Sequence, residues 1–246
     1  MRKSHCLHCS GPLPKSARYC HRCGAQVIEN RLGVPQALQD TAKALDLEAG
    51  FFKTMTDLFA MPGAVNRFYI DGGRKRYLNP LKYLAICFMA YQLALWLTGG
   101  DYFFVDFMEG YAESRHAGAS LENLSSLSNY STLLFLLLLP TAAFVSRVLF
   151  RPDELNFVEH LAVNAYLLAQ VMVVNLALSL PLSWFEGGSI AYFIPLALSL
   201  LYAAYSQYRT FSYSLPGSLW RTSVFLVACA VLIVVVYSEL ADMAIS

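Results

Sequence analysis

Five apolar runs, at residues 78–97, 130–150, 161–180, 189–205 and 222–240, constrain this chain more than any other feature. About 20 mostly apolar residues are needed to cross a bilayer as a helix, because every backbone N–H and C=O in hydrocarbon must be satisfied within the segment. The pattern predicts an α-helical integral membrane protein with about five transmembrane helices. The run at 189–205 is the shortest and contains Pro195, which removes one backbone donor; neighbouring helices can satisfy the freed carbonyl in a bundle. Composition agrees, since the chain is 57% hydrophobic and only 14% charged, whereas a soluble domain carries roughly a quarter charged residues.

Basic residues orient the runs. Arg74, Lys75, Arg76 and Lys82 flank the first, Arg147 and Arg151 lie between the second and third, and Arg209 and Arg221 between the fourth and fifth. Of the 18 Lys and Arg residues only Arg115 falls on the opposite side, where Asp101, Asp106, Glu109, Glu113, Glu122, Glu186, Glu239 and Asp242 collect. The expected topology is multi-pass in the plasma membrane, with the amino terminus cytoplasmic and the carboxyl terminus on the far side. Trp96 and Trp184 at outer ends and Trp220 at an inner end suit interfacial anchoring. No apolar run of signal-peptide length occurs in the first 77 residues, so the head is expected to stay in the reducing cytoplasm, where thiols remain free for metal.

That head reads "SHCLHCSGPLPKSARYCHRCGA", residues 4 to 25. Cys6 and Cys9 form one C-x-x-C pair and Cys20 and Cys23 a second. Two such turns deliver four thiolates to one tetrahedral ion, and the expected cofactor is structural Zn²⁺. Gly11 and Gly24 follow the pairs and supply backbone freedom for tight turns. His5, His8 and His21 are alternative ligands, but four cysteines already complete the set, and a closed four-thiolate site leaves no position for substrate. Cys87 and Cys229 lie inside apolar runs and read as packing residues. Residues 1–31 carry a net side-chain charge of +5, or +3 with a tetrathiolate zinc, and no aromatic platform is interleaved with it, which favours a protein or anionic lipid over nucleic acid. The chain thus divides into a zinc ribbon at 1–30, an amphipathic connector with a basic collar at 31–77, and a transmembrane bundle at 78–246.

In the connector, Phe51, Phe52, Met55, Leu58 and Phe59 recur at helical spacing, which predicts an amphipathic helix ending near Pro62 and Gly63. Next comes "YIDGGRKRYLNPLKYL", where Gly72 and Gly73 turn the chain, Arg74, Lys75, Arg76 and Lys82 sit at headgroup level as anchors, and Asn79 with Pro80 suits a cap and first helical residue. Further on, "RPDELNFVEHLAVNAYLLAQVMVVN" places His160, Asn164 and Asn175 within about 60° of one another on a helix, a polar stripe that must face protein or water, while Glu159 and Gln170 point elsewhere. The stripe reads either as interhelical hydrogen bonding or as the lining of a substrate or ion path. No H-E-x-x-H occurs, and no serine or cysteine has an evident base, so no catalytic residue is assigned.

These motifs together resemble a family of bacterial inner-membrane proteins of unknown function, whose members carry a zinc-ribbon head, a G-x-R-x-x-Y-x-x-P collar and an E-H-x-x-x-N-x-Y motif. Here the collar is Gly73, Arg74, Tyr77 and Pro80, and the later motif is Glu159, His160, Asn164 and Tyr166. The resemblance implies a membrane location and no established activity; five spans with a cytoplasmic head also resemble Yip1-type trafficking proteins in architecture. The function expected is a non-enzymatic membrane protein whose head docks a protein partner at the lipid bilayer, with a homo-oligomer compatible with the pattern. The alternative is a small transporter using the stripe of the third span.

Overall fold

The computed structural model describes residues 5–14, 17–25, 27, 50–74, 76–98, 137–150, 155–182, 190–211 and 213–245. Lys75, Arg115, Arg151, Trp184 and the acidic residues between 101 and 122 lie outside them. Among the described residues the chain is helical without strands, and an isolated bridge pairs His5 with Pro12. The helices are α1 (Gly50–Ala60), α2 (Pro62–Ile70), α3 (Pro80–Thr98), α4 (Leu137–Leu149), α5 (Phe157–Leu182), α6 (Ile190–Thr210) and α7 (Leu215–Ile245).

The amphipathic segment forms two helices where the sequence suggests one. Pro62 disfavours a helical conformation at Met61, which adopts φ −146°, and the chain restarts with Pro62 in the first turn of α2. At the far end of α2, Gly73 N–H reaches Phe68 O at 2.9 Å and Gly72 N–H reaches Tyr69 O at 3.1 Å. These are the two bonds of a Schellman stop, and Gly72 takes the required left-handed backbone at φ 98°. Asn79 then caps α3: its Oδ1 accepts from the N–H groups of Leu81 at 3.0 Å and Lys82 at 3.3 Å.

Central in the bundle is α5, whose residues 159–172 are buried on nearly every side. Ala162, Ala165 and Ala169 let neighbouring backbones approach closely. Its pairing partners give the helix directions. Leu78 O accepts from Tyr166, and Tyr83 donates to Gln170 Oε1 at 2.6 Å, so α3 runs parallel to α5. In contrast, Ser146 on α4 meets His160 and Asn164 while Ala142 packs with Leu167, so α4 is antiparallel. On α6, Ser199 pairs with Asn175 and Phe211 stacks on His160, again antiparallel. A short connection after Phe211 returns the chain as α7, whose Ser218, Thr222, Phe225 and Cys229 form one buried face.

Nine residues separate Phe157 from Tyr166, so α3 starts about 13 Å along α5 from its beginning. The notch this leaves is filled by α1 and α2. Gln170 donates to the Met55 carbonyl at 3.2 Å, and Tyr202 and Tyr205 donate to the carbonyls of Leu58 (3.1 Å) and Ala60 (2.8 Å), the last two being carbonyls that the end of α1 leaves unpaired. On α2, Gly63 lies so close to α6 that an added Cβ would sit 1.8 Å from Arg209 O. Arg67 Nε caps the carbonyl of Thr210 at 3.2 Å, and Arg221 Nε that of Leu149 at 3.2 Å, placing guanidinium charge at the negative ends of α6 and α4.

Two helices contain stretches long and apolar enough to cross a membrane, Phe157–Leu178 and Leu215–Leu232. Of the latter only 22% is buried, which a soluble core helix would not show. Exposed apolar side chains extend the same surface onto Met89, Leu93 and Leu97 of α3, Phe144 of α4 and Leu201 of α6. Lys82 and Gln92 in α3, and Ser199, Ser206 and Gln207 in α6, dilute the apolar character of those two helices, and the described part of α4 is shorter. Helix α7 starts seven residues before the 222–240 run, because Pro216 fits its first turn and the helix continues through polar residues at both ends. Likewise α5 begins at Phe157, four residues before the 161–180 run.

Candidate functional site

In the head, the four sulfurs of Cys6, Cys9, Cys20 and Cys23 lie within 4.8 Å of one another. Cys6 Sγ is 3.7 Å from Cys23 Sγ, and Cys9 Sγ is 3.6 Å from Cys20 Sγ. A metal bound by thiolates at about 2.3 Å in a tetrahedron sets its sulfurs about 3.8 Å apart, whereas a disulfide needs about 2.05 Å. All four cysteines are free thiols, and the spacing fits a metal rather than two bridges.

The two pairs are built alike. Ser10 N–H bonds Cys6 O and Gly24 N–H bonds Cys20 O, both at 2.8 Å; Cys6 N–H bonds Gly11 O at 2.8 Å and Cys20 N–H bonds Ala25 O at 2.7 Å. The residue after each pair is left-handed, Ser10 at φ 56° and Gly24 at φ 66°. The first turn therefore uses Ser10 where the sequence points to Gly11. Gly11 instead provides clearance, since a Cβ there would meet Arg22 Cδ at 3.3 Å and Cys9 Sγ at 3.4 Å.

Backbone N–H groups of Arg22 and then Cys23 hold the Cys20 thiol down to about 6, favouring its thiolate. Ala25 N–H acts in the same sense on Cys23, but burial and the neighbouring sulfurs outweigh it and push that thiol up to about 12. Crowded sulfurs resist full ionisation until a cation compensates them. His5, His8 and His21 are not among the clustered ligand atoms.

The collar residues mostly tie α1, α2 and α3 together. A Cβ on Gly73 would lie 2.1 Å from the Phe68 ring. Arg74 lies with its Cζ 6.0 Å from the Tyr69 ring centre, and Arg76 sits 5.5 Å and 5.6 Å from the rings of Phe68 and Tyr77. Tyr77 donates to Asp57 Oδ2 at 2.9 Å, and Lys53 meets the same oxygen at 3.1 Å. Burial opposes ionisation of Asp57, yet Lys53 and Tyr77 hold its carboxyl below the usual range; Tyr77 is pushed up by burial and by that carboxylate. Thr54 Oγ1 accepts from Leu78 N–H at 2.9 Å. Pro80 opens α3, and Lys82 lies in its first turn.

Of the third-span residues, Glu159 forms a capping box: its Oε2 accepts Asn156 N–H at 2.7 Å while Asn156 Oδ1 accepts Glu159 N–H at 2.9 Å. His160 Nδ1 and Ser146 Oγ are 2.9 Å apart, and Asn164 Nδ2 donates to Ser146 Oγ and to His160 O, each at 2.8 Å. Phe211 stacks on both His160 and Phe150. Asn175 is three turns away and donates to Ser199 Oγ at 2.9 Å. The stripe therefore splits into separate interhelical pairs, and Glu159 belongs to neither. Sequence reasoning missed Ser146, Gln207, Ser218 and Thr222, all buried among the helices. Their signal was faint: polar residues at helical spacing inside or beside apolar runs.

No curated protein and no solved structure matches the chain. Residues 48–91 match the family model described as "Protein of unknown function (DUF3667)", and this stretch takes in α1, α2 and the first two thirds of α3, with the collar that holds them together.

Proposed function

We propose that the protein is a multi-pass helical membrane protein whose head holds a structural Zn²⁺ through Cys6, Cys9, Cys20 and Cys23 and docks a protein partner at the cytoplasmic face. The observation that carries the docking reading is the closed sulfur arrangement, with opposite sulfurs at 3.6 and 3.7 Å: four thiolates fill a tetrahedron, so the metal folds a binding surface instead of performing chemistry. Leu7 and Tyr19 flank the cysteines and are exposed, Tyr19 by 62%, which offers an apolar contact among basic residues. Support for the bilayer comes from the apolar outer surface of α3, α4, α6 and α7. The alternating directions of α4 to α7, and the parallel α3 and α5, accord with five crossings of a plasma (inner) membrane, Arg74, Arg76, Lys82, Arg147, Arg209 and Arg221 marking the cytoplasmic side.

Docking is tested by in-cell crosslinking followed by purification of the intact chain, wild type against Cys20→Ser/Cys23→Ser. Partners lost selectively from the variant, with membrane insertion retained, are the expected result. An unchanged partner set would remove the docking role.

A further inference from the structure

One level of the bundle carries hydrogen-bonding groups that its helices leave unmatched. The apolar cluster joining α4 to α7 includes Ala142, Leu167, Ala203 and Phe225, one from each helix. One turn towards α2 along each helix come Ser146, Asn164, Gln207 and Thr222, since the helices alternate in direction and residues three or four apart share a face. All four are buried, at no more than 2% exposure. Ser146 and Asn164 bond each other. Yet Asn164 Oδ1, both amide atoms of Gln207 and Thr222 Oγ1 find no hydrogen-bond partner, and neither does Ser218 Oγ one turn farther along α7.

The chemistry of these atoms is defined. Asn164 Nδ2 donates to the His160 carbonyl at 2.8 Å; a carbonyl only accepts, so the unmatched atom of Asn164 is its oxygen. Thr54, Thr56, Thr141 and Ser223 each donate to the carbonyl four residues back, the usual local bond of a helical hydroxyl. Ser218 and Thr222 forgo that bond although they are buried, where an unmatched hydroxyl is costly. The unmatched set at this level and the adjoining turn of α7 is therefore two amide oxygens and two hydroxyls against a single amide NH₂.

We propose that this level, with the adjoining turn of α7, binds a small monovalent cation, of the alkali or ammonium class, with Asn164 Oδ1, Gln207 Oε1, Thr222 Oγ1 and Ser218 Oγ as its ligands. Neutral hard oxygens suit such an ion, and no carboxylate in the set balances a divalent one. The guanidinium groups of Arg67 and Arg221 donate through Nε to the carbonyls of Thr210 and Leu149, and positive charge in this part of the bundle opposes a divalent ion more strongly than a monovalent one. The site stands independently of the head.

The full chain is purified in detergent micelles with its head metal measured in every sample. Its melting midpoint is recorded by circular dichroism in Na⁺, K⁺, NH₄⁺ and choline chloride at equal ionic strength. A small cation is expected to raise the midpoint saturably, by about 5–10 °C at a hundredfold excess over Kd; the sodium, potassium and ammonium arms separate the two classes. Thr222→Val keeps the side-chain shape and is expected to weaken the cation at least tenfold, as is Gln207→Leu, with helix and metal content unchanged. Identical midpoints in all four salts would overturn the proposal, and so would an undiminished cation response in Thr222→Val. Should Gln207→Leu fail to fold, Thr222→Val alone decides, and the head-metal assay separates this result from any fault in the cysteine site.

Discussion

Replacing Gly63 by alanine sets two effects of opposite sign against each other. Alanine in a helix is ordinarily better than glycine by about 0.5–1 kcal/mol. Here the new Cβ would lie 1.8 Å from Arg209 O, 2.4 Å from its carbonyl carbon and 3.1 Å from Thr210 N. These are backbone atoms of another helix, so no side-chain rotation relieves them. To restore ordinary contact, α2 must retreat by about 1.5 Å, which stretches the Asn66 to Thr210 bond from 2.8 Å and the Arg67 to Thr210 bond from 3.2 Å beyond hydrogen-bonding range. Overpacking costs about 1–3 kcal/mol and the stranded buried amide a further 1–3 kcal/mol, so after the alanine gain the net loss is about 1–5 kcal/mol. The assay is urea or thermal unfolding of the purified chain in micelles, with Gly50→Ala as control, because a Cβ there meets only Leu78 N at an ordinary 3.8 Å. Equal stability of the two variants, or a gain in Gly63→Ala, would refute the close α2 to α6 contact.

Other consequences are equally concrete. Asn156→Ala and Glu159→Ala remove opposite halves of one capping box and should each destabilise by about 1 kcal/mol, with little added by the double variant in a denaturation cycle; additive losses would mean that Glu159 acts elsewhere. Asp57 has a depressed carboxyl, so its contribution is present above the ordinary carboxylate range and lost as pH falls through its folded value. The wild-type melting midpoint should therefore drop more than that of Asp57→Asn as acid is added below about pH 4, and parallel curves would contradict the Tyr77 and Lys53 contacts. Ser146→Ala leaves His160 Nδ1 and one of the two N–H groups of Asn164 Nδ2 without a partner, the other keeping the His160 carbonyl, and should cost about 1–3 kcal/mol, read by the same unfolding assay; a loss smaller than that of an exposed control such as Ser223→Ala would show the cluster to be unimportant.

Particular residues show how far the sequence could be read. Asn79 and Pro80 announced the start of α3 because capping chemistry is local. Gly72 and Gly73 announced the end of α2 for the same reason. The break at Met61 was less visible, since both flanking segments are amphipathic and only Pro62 marks the restart. Paired cysteines pointed through spacing alone to the cluster of four sulfurs, but the left-handed residue after the first pair is Ser10 and not the glycine that follows it. Hidden altogether was the way the polar residues divide. Helical angles put His160, Asn164 and Asn175 on one stripe, yet their partners, Ser146 and Ser199, are chosen by the register of α4 and α6 against α5. Gln207 and Thr222 acquire meaning only from that register too.

Metal analysis of the purified chain at neutral pH tests the central claim most directly. One zinc per chain, absent from Cys20→Ser/Cys23→Ser while both proteins remain in the membrane fraction, is the predicted result. Less than stoichiometric metal in the wild type, another metal in place of zinc, or zinc retained by the variant would contradict a four-cysteine structural zinc head.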